Sequence, residues 1–232
     1  MKVIGCDFDG TLLPKGIGKI SNITRQLISN LKKQGSIFII VTGRSPTQFK
    51  KAIFRYNVDF FDYVICSNGA ATYDSNMCLL EYHALNTEIV QEIQALVSKK
   101  EKGLLCTLHK DVRLSNVKEN TLEDQIISLN FSSSIILNKF PIEIFDKASI
   151  FCNGKYIDII KKDVSKATTL LTLNRKLQGD SLYVIGDDKN DMLMFKITKN
   201  SYSFSFVDKE IQSEATYIRQ TMEEILEEII DK

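Results

Sequence analysis

Four short apolar runs, each cut off by polar or acidic residues, frame the chain. Val3-Ile4-Gly5-Cys6 ends in Asp7-Phe8-Asp9-Gly10-Thr11, Ile37 to Val41 in Thr42-Gly43-Arg44, Tyr63 to Cys66 in Ser67-Asn68-Gly69, and Ser181 to Ile185 in Gly186-Asp187-Asp188-Lys189-Asn190-Asp191. Apolar runs of this length without polar alternation predict strands buried on both faces, the texture of a parallel sheet. Helical spacing lies between them. Ile23, Leu27, Ile28 and Leu31 follow a cap at Ser21 or Asn22, Ser45-Pro46 opens a helix to about Tyr56, and Lys166 to Leu177 forms a third, closed by Gly179. The expected fold class is α/β: a doubly wound, mainly parallel sheet.

The pattern breaks between residues 71 and 157. Ala71 to Tyr73 and Cys78 to Tyr82 flank the turn-prone Asp74-Ser75-Asn76, and helices are predicted over Thr87–Lys100 and Thr121–Leu129. Strands are predicted at Leu104–Leu108 and Ser134–Leu137, and a hairpin joins Ile150–Cys152 to Tyr156–Ile159 across Asn153-Gly154. This reads as a small α+β domain inserted at 71–157 into a core made of 1–70 and 158–232. A helix at Met192–Phe195, a strand at Tyr202–Val207 and an amphipathic helix from Met222 to Ile230 complete the core.

Parallel sheets bind ligands beyond the carboxyl ends of their strands. Those ends carry Asp7, Asp9, Thr42, Gly43, Arg44, Asp187, Asn190 and Asp191, with Lys166 at a helix start. A turn accounts for Asp9-Gly10 but poorly for Asp7, which falls where the strand should still be buried. Period-two geometry would put Asp7 and Asp9 on one side, and paired carboxylates need a cation or a positive substrate site. A hard divalent ion such as Mg2+, held by carboxylates and phosphate oxygens, suits them. One carboxylate could then attack phosphorus, while the other, two residues away, moves the proton. Thr42 could donate to a phosphoryl oxygen and Lys166 neutralise its charge. A lysine at a helix start opposes the helix dipole, which favours a functional reason for it.

Composition narrows the partners. At 232 residues, 44% hydrophobic and 25% charged, the chain is ordinarily globular, and a net charge of +1 gives no basic field for nucleic acid or a membrane surface. No apolar run approaches a bilayer span, and Asp7 and Asp9 interrupt any signal-peptide pattern. Cys6, Cys66, Cys106 and Cys152 lie in apolar, strand-like contexts without a C-x-x-C pair, which predicts reduced core thiols and a cytoplasmic protein. His83 and His109, the only histidines, build no triad. The expected partner is a small phosphorylated metabolite, and the protein a monomer or small homo-oligomer.

D-F-D-G-T at Asp7–Thr11, V-T-G-R-S at Val41–Ser45, V-S-K at Val164–Lys166 and G-D-D-K-N-D at Gly186–Asp191 resemble, in order, the four motifs of the haloacid dehalogenase (HAD) superfamily. Ser67-Asn68-Gly69-Ala70 and the insert resemble its Cof-type phosphatases, whose α/β cap sits between the second and third motifs. The resemblance implies that Asp7 is the nucleophile and Asp9 the general acid/base. It implies that Thr42 and Lys166 bind the phosphoryl group, with Asn190 beside it. Asp187 would bind Mg2+ alongside Asp7 and the Asp9 carbonyl, supported by Asp191. A compact insert implies a reduced cap, and Asp208 stands where the family commonly has an asparagine. A sugar-phosphate phosphatase is the leading expectation. A phosphomutase, a receiver-like phospho-acceptor and a non-catalytic binding protein are the alternatives.

Overall fold

The computed structural model describes residues 1–96, 103–113, 125–132, 142–153 and 156–232. The expected strands form as β1 (Lys2–Asp7), β2 (Ile37–Val41) and β3 (Tyr63–Cys66), separated by α1 (Asn22–Lys33) and α2 (Pro46–Tyr56). Ser21 caps α1, and Ser45 with Gln48 forms a capping box on α2. After β3 come β4 (Ala71–Asp74) and β5 (Leu79–Tyr82), then α3 (Thr87–Leu96), β6 (Gly103–Thr107), β7 (Asp111–Arg113) and β8 (Ile126–Phe131). The chain continues through α4 (Ile142–Lys147), β9 (Ala148–Asn153), β10 (Tyr156–Lys161), α5 (Lys166–Lys176), β11 (Ser181–Ile185) and α6 (Met192–Phe195). It closes with β12 (Asn200–Phe204), α7 (Lys209–Glu214), β13 (Tyr217–Arg219) and α8 (Met222–Asp231).

Among the described residues, eight strands make a sheet in the order β13-β12-β11-β1-β2-β3-β4-β5. All of its pairs from β13 to β3 are parallel, and β4 and β5 are antiparallel. Alternation along each strand sorts the side chains onto two faces. Ile4, Cys6, Phe38 and Ile40 pack on one side with Ile28 and Leu31 of α1, Phe49 of α2 and Ile225 of α8. Val3, Ile39, Val41 and Val184 pack on the other with Leu170 of α5, Met194 of α6 and Ile211 of α7. Helices on both faces are what make the strands apolar throughout, so the doubly wound expectation holds.

The second sheet, β7-β6-β8-β10-β9, is antiparallel and carries α3 and α4 on one face. Ile157 and Ile159 of β10 pack there with Ile89, Val90 and Ile93, so the intervening Asp158 points to the other face.

Several expectations need correction. Ile126–Leu129, the end of the helix expected over Thr121–Leu129, belongs to strand β8 (Ile126–Phe131), held between β6 and β10. The β4–β5 hairpin, expected with the insert, extends the large sheet because β4 pairs with β3, whereas β10, astride the expected boundary, belongs to the small sheet. Cys152 is exposed on the edge strand β9 rather than buried. The strand expected to reach Val207 stops at Phe204. Gln178 rather than Gly179 adopts the left-handed conformation after α5. The strand expected at Ser134–Leu137 and the last residues of the helix over Thr87–Lys100 lie outside the described residues, as does Gly154; Asn153 pairs with Tyr156.

Gly69 follows β3 at φ +115°, and a Cβ there would lie 2.4 Å from the Ser165 carbonyl oxygen at the start of α5. Gly16, at φ +80°, has nothing within 4 Å of its place for a Cβ. Gly16→Ala should therefore cost only backbone strain, about 1 kcal/mol, and Gly69→Ala about 2 kcal/mol more, because backbone must move. Urea unfolding midpoints of the two variants read the difference; equal midpoints would refute the close approach of α5.

Candidate active site

Every strand end flagged in the sequence reaches one region. Asp7 is the last residue of β1, and the chain then turns sharply: Leu12 N–H donates to Asp7 O (3.2 Å) and Leu13 N–H to Phe8 O (2.7 Å). Phe8 is buried edge-on against Phe49, with ring centroids 5.6 Å apart, which pins the turn to α2. Gly10 adopts φ +100°, and a Cβ there would overlap the Asp187 carboxylate at 2.2 Å, so the turn needs glycine. Asp9 lies beyond the strand end, so the two acids do not share a strand face as expected, yet both line one cleft.

Lys166 is the first residue of α5, after the Ser165 cap, and is buried. Its Nζ donates to Asp7 Oδ1 (2.6 Å) and to Asp191 Oδ1 (2.8 Å). The other Asp191 oxygen accepts the backbone N–H groups of Asp187 (3.0 Å) and Asp188 (3.1 Å), which fixes the turn after β11. Asp187 accepts from Thr11 Oγ1 (2.7 Å) and from Lys15 Nζ (2.8 Å). One carboxylate oxygen from each of Asp7, Asp187 and Asp191 lies within 4.8 Å of the others, and all three residues are buried. Burial pushes the Asp7 carboxyl well above the usual range, reinforced by the charges of Asp191 and Asp187 and opposed by Lys166. Burial alone would lower the Lys166 ammonium, but its two carboxylate partners raise it. Burial also raises Asp187, against the bonds from Lys15 and Thr11.

Three convergent buried carboxylates are a hard-oxygen donor set that fits Mg2+. The Asp9 carboxylate is not among them. Its oxygens accept from Arg44 Nε and one terminal nitrogen, both at 2.7 Å, and the guanidinium lies 5.1 Å over the Phe8 ring and 5.9 Å over Tyr56. Thr42 is buried beside this pair; its hydroxyl accepts from Arg44 N–H (3.1 Å), which keeps the hydroxyl proton for another acceptor. Asp208, at the start of α7, makes no side-chain cap bond.

Asp7, Asp9, Gly43, Arg44, Lys166 and Asn190 line a cleft of about 580 Å³ whose other wall is the small sheet. Sequence reasoning expected the insert to close over the site but did not single out the residues of that wall. Leu104 and Asp158 both pair with Asn130, so the three form a row across β6, β8 and β10 on the cleft side. Asn130 Nδ2 donates to one oxygen of Asp158, and Asn68 Nδ2 donates to the other at 2.8 Å. Asn68 Oδ1 accepts from Asn190 Nδ2 (3.2 Å), while the buried Asn190 Oδ1 makes no hydrogen bond among the described residues. A second bridge joins Ser45 Oγ to Asp111 Oδ2 (2.7 Å). The signal for Asp158 was available: a lone acid inside Tyr-Ile-Asp-Ile-Ile is the pattern that marked Asp7. Thr11 and Lys15 lie in a loop with no period to read.

Parallel strands ending in acids, an ion-paired lysine and a second sheet over the cleft are the arrangement that the four sequence motifs imply. The chain matches the model of the haloacid dehalogenase-like hydrolases over residues 4–152 and 132–226, and it belongs to that family. A protein of Buchnera aphidicola subsp. Baizongia pistaciae is 29% identical over 183 residues, 79% of this chain, which spans only 61% of that protein's length. The 5-amino-6-(5-phospho-D-ribitylamino)uracil phosphatase YcsE of Bacillus subtilis (strain 168) is 24% identical over 228 residues, 95% of this chain and 90% of that one. A HAD subclass IIB sugar phosphatase of known structure superposes with a TM-score of 0.79 over 97% of this chain and 95% of that one; at 18% identity the likeness concerns the fold. The resemblance seen in the four motifs is thus borne out. Among the described residues no helix is long and apolar enough to cross a membrane.

Two outcomes follow from the charges. Lys166→Met leaves two buried carboxylates without their cation and should cost about 3–5 kcal/mol in urea unfolding; an unchanged midpoint would contradict the ion pair. Burial also pushes the Asp158 carboxyl up to about 6, against the hydrogen bonds from Asn130 and Asn68. The unfolded chain releases that proton near pH 4 and the folded chain near pH 6, so stability contributed by the protonated form is lost as pH rises through this window. Unfolding free energies at several pH values should show Asp158→Asn gaining on the wild type, by at most about 3 kcal/mol, between pH 4 and 6 and staying level above.

Proposed function

We propose that the protein is a Mg2+-dependent phosphatase that hydrolyses a small phosphorylated metabolite, a sugar phosphate, through an aspartyl-phosphate on Asp7. The observation that carries this reading is the buried Asp7–Lys166–Asp191 ion pair at the floor of the cleft, next to Asp187. Lys166 occupies one oxygen of Asp7; the other makes no hydrogen bond among the described residues and belongs to a residue lining the cleft. That second oxygen attacks phosphorus as the bond to the leaving oxygen breaks, and the leaving oxygen takes a proton from Asp9, which enters this step as the carboxylic acid and leaves it as the carboxylate. Water then gives a proton to Asp9 and attacks the same phosphorus, which releases Asp7 and inorganic phosphate.

Lys166 supplies positive charge beside the nucleophile, and the Thr42 hydroxyl has a proton to donate to a phosphoryl oxygen. Asp7, Asp187 and Asp191 are the side chains that would hold Mg2+, with Asp9 contributing its backbone carbonyl. When bound, the ion supplies charge neutralisation for the transferring group. Arg44 orients the Asp9 carboxylate, and Asp9 must part from it to reach a leaving group. The small sheet forms the wall on the leaving-group side, where water is excluded and the organic part is read. Sugar phosphates agree with the activity of the structural neighbour, a sugar phosphatase, and with the phosphorylated ribityl chain of the substrate of the Bacillus relative.

With p-nitrophenyl phosphate and Mg2+, phosphate release should be lost in Asp7→Asn and on chelation, and should fall about 100- to 10,000-fold in Asp9→Asn. A wild-type protein inert towards a broad panel of phosphate monoesters would overturn the reading.

A further inference from the structure

The small sheet places a carboxylate in the cleft wall that the chemistry above does not use. Asp158 is 8% exposed, on the face of β10 opposite the packed Ile157 and Ile159. It stands level with Asn130, which also pairs with Leu104, and all three line the cleft that holds Asp7 and Lys166. A buried carboxylate is costly, and a wall meant only to close the cleft would be cheaper in valine or isoleucine. Here the side chain is held in place by two amides, Asn130 and Asn68, one on each oxygen. Each carboxylate oxygen keeps a further lone pair, so both can still accept a hydroxyl.

The surrounding charges make the position selective. Arg44 is paired with Asp9, Lys15 with Asp187, and Lys166 with Asp7 and Asp191. The small-sheet residues lining the cleft (Leu104, Asn130, Tyr156 and Asp158) include no cation among the described residues. A substrate whose phosphate sits at Asp7 and whose far end carries a second anion would therefore bring it towards a carboxylate that forms no ion pair among the described residues, and like charges at close range in a partly dry site repel strongly. A far end bearing hydroxyls would find acceptors instead.

We propose that Asp158 is a specificity-determining residue: it admits phosphate monoesters whose leaving group presents neutral hydroxyls and rejects those whose leaving group carries a carboxylate. The inference rests on the phosphatase reading. A role confined to latching the small sheet onto Asn68 would change turnover of all esters alike, whereas a reading role changes their ratio.

The test uses the whole chain and a matched pair, glycerol 3-phosphate and 3-phosphoglycerate, which differ by a CH2OH in place of a carboxylate. Wild-type kcat/KM should favour glycerol 3-phosphate, and in Asp158→Asn the ratio should move at least tenfold towards 3-phosphoglycerate. An unchanged ratio, with or without a uniform loss, overturns the proposal, as does a wild type that prefers 3-phosphoglycerate. Should the variant not fold, competition against p-nitrophenyl phosphate in the wild type decides: a Ki at least tenfold weaker for 3-phosphoglycerate supports the proposal, and equal or reversed values overturn it. A wild type inert towards p-nitrophenyl phosphate and both esters refutes the phosphatase reading itself; one active on p-nitrophenyl phosphate with no preference within the pair refutes only the role of Asp158.

Discussion

Three carboxylates buried within 4.8 Å of one another would be prohibitively costly unless cations met them, and much of the molecule answers that constraint. Lys166 meets two of them from the first position of α5, against its own helix dipole, and Lys15 meets the third from the loop after β1. For Lys166 to reach Asp7, α5 must start close beneath the sheet. Gly69 allows this, since any side chain there would strike the backbone at Ser165. Gly10 makes the matching concession on the other side, letting the turn after Asp7 lie against Asp187. The two glycines and the lysine are one solution to one problem of charge.

The topology brings the charges together in the first place. β1 is central, flanked by β2 and β3 on one side and β11 and β12 on the other, so the chain winds outward from it in both directions. At such a switch point the loops after neighbouring strands diverge and leave a crevice. Asp7, Thr42, Asn68 and Asp187 all stand at its rim because Asp7 ends β1 and each of the others follows a strand parallel to it. The small sheet lies over this crevice through polar contacts, Asn68 to Asp158 and Ser45 to Asp111, and through Cys106, Ile127 and Ile160, which join the apolar cluster of the large sheet.

The parallel strands and their acids were legible because burial on both faces writes a continuous apolar run, and a functional group at its end breaks that run abruptly. The small sheet was less so. Ile126-Ile127-Ser128-Leu129 carries apolar residues at helical as well as extended spacing, and only pairing with β6 and β10, distant in sequence, decides for a strand. The β4–β5 hairpin looked like the start of the insert because antiparallel strands alternate, but its partner is β3, and alternation does not name a partner. Asp9 was read onto the strand, whereas β1 ends at Asp7 and the bidentate hold of Arg44 fixes the acid beyond it. Lys15 left no trace and Thr11 none beyond its place in the first motif, since loop residues touch Asp187 through tertiary geometry alone.

Asp7 and Asp158 carry the same local signature, a single acid inside an apolar strand, yet the fold compensates them by different means. Asp7 receives an ammonium, which opposes the upward push of burial on its carboxyl. Asp158 receives two amides, which hold its oxygens in place without cancelling its charge. A charge that is cancelled locally can act on a bond brought to it, while one that is only held still projects its field into the cleft. Two buried carboxylates facing one cavity can thus divide the labour of an enzyme, one bearing on the phosphate and the other on what the phosphate is attached to. Sequence marks both as anomalies, and only the partner each finds across the fold tells them apart.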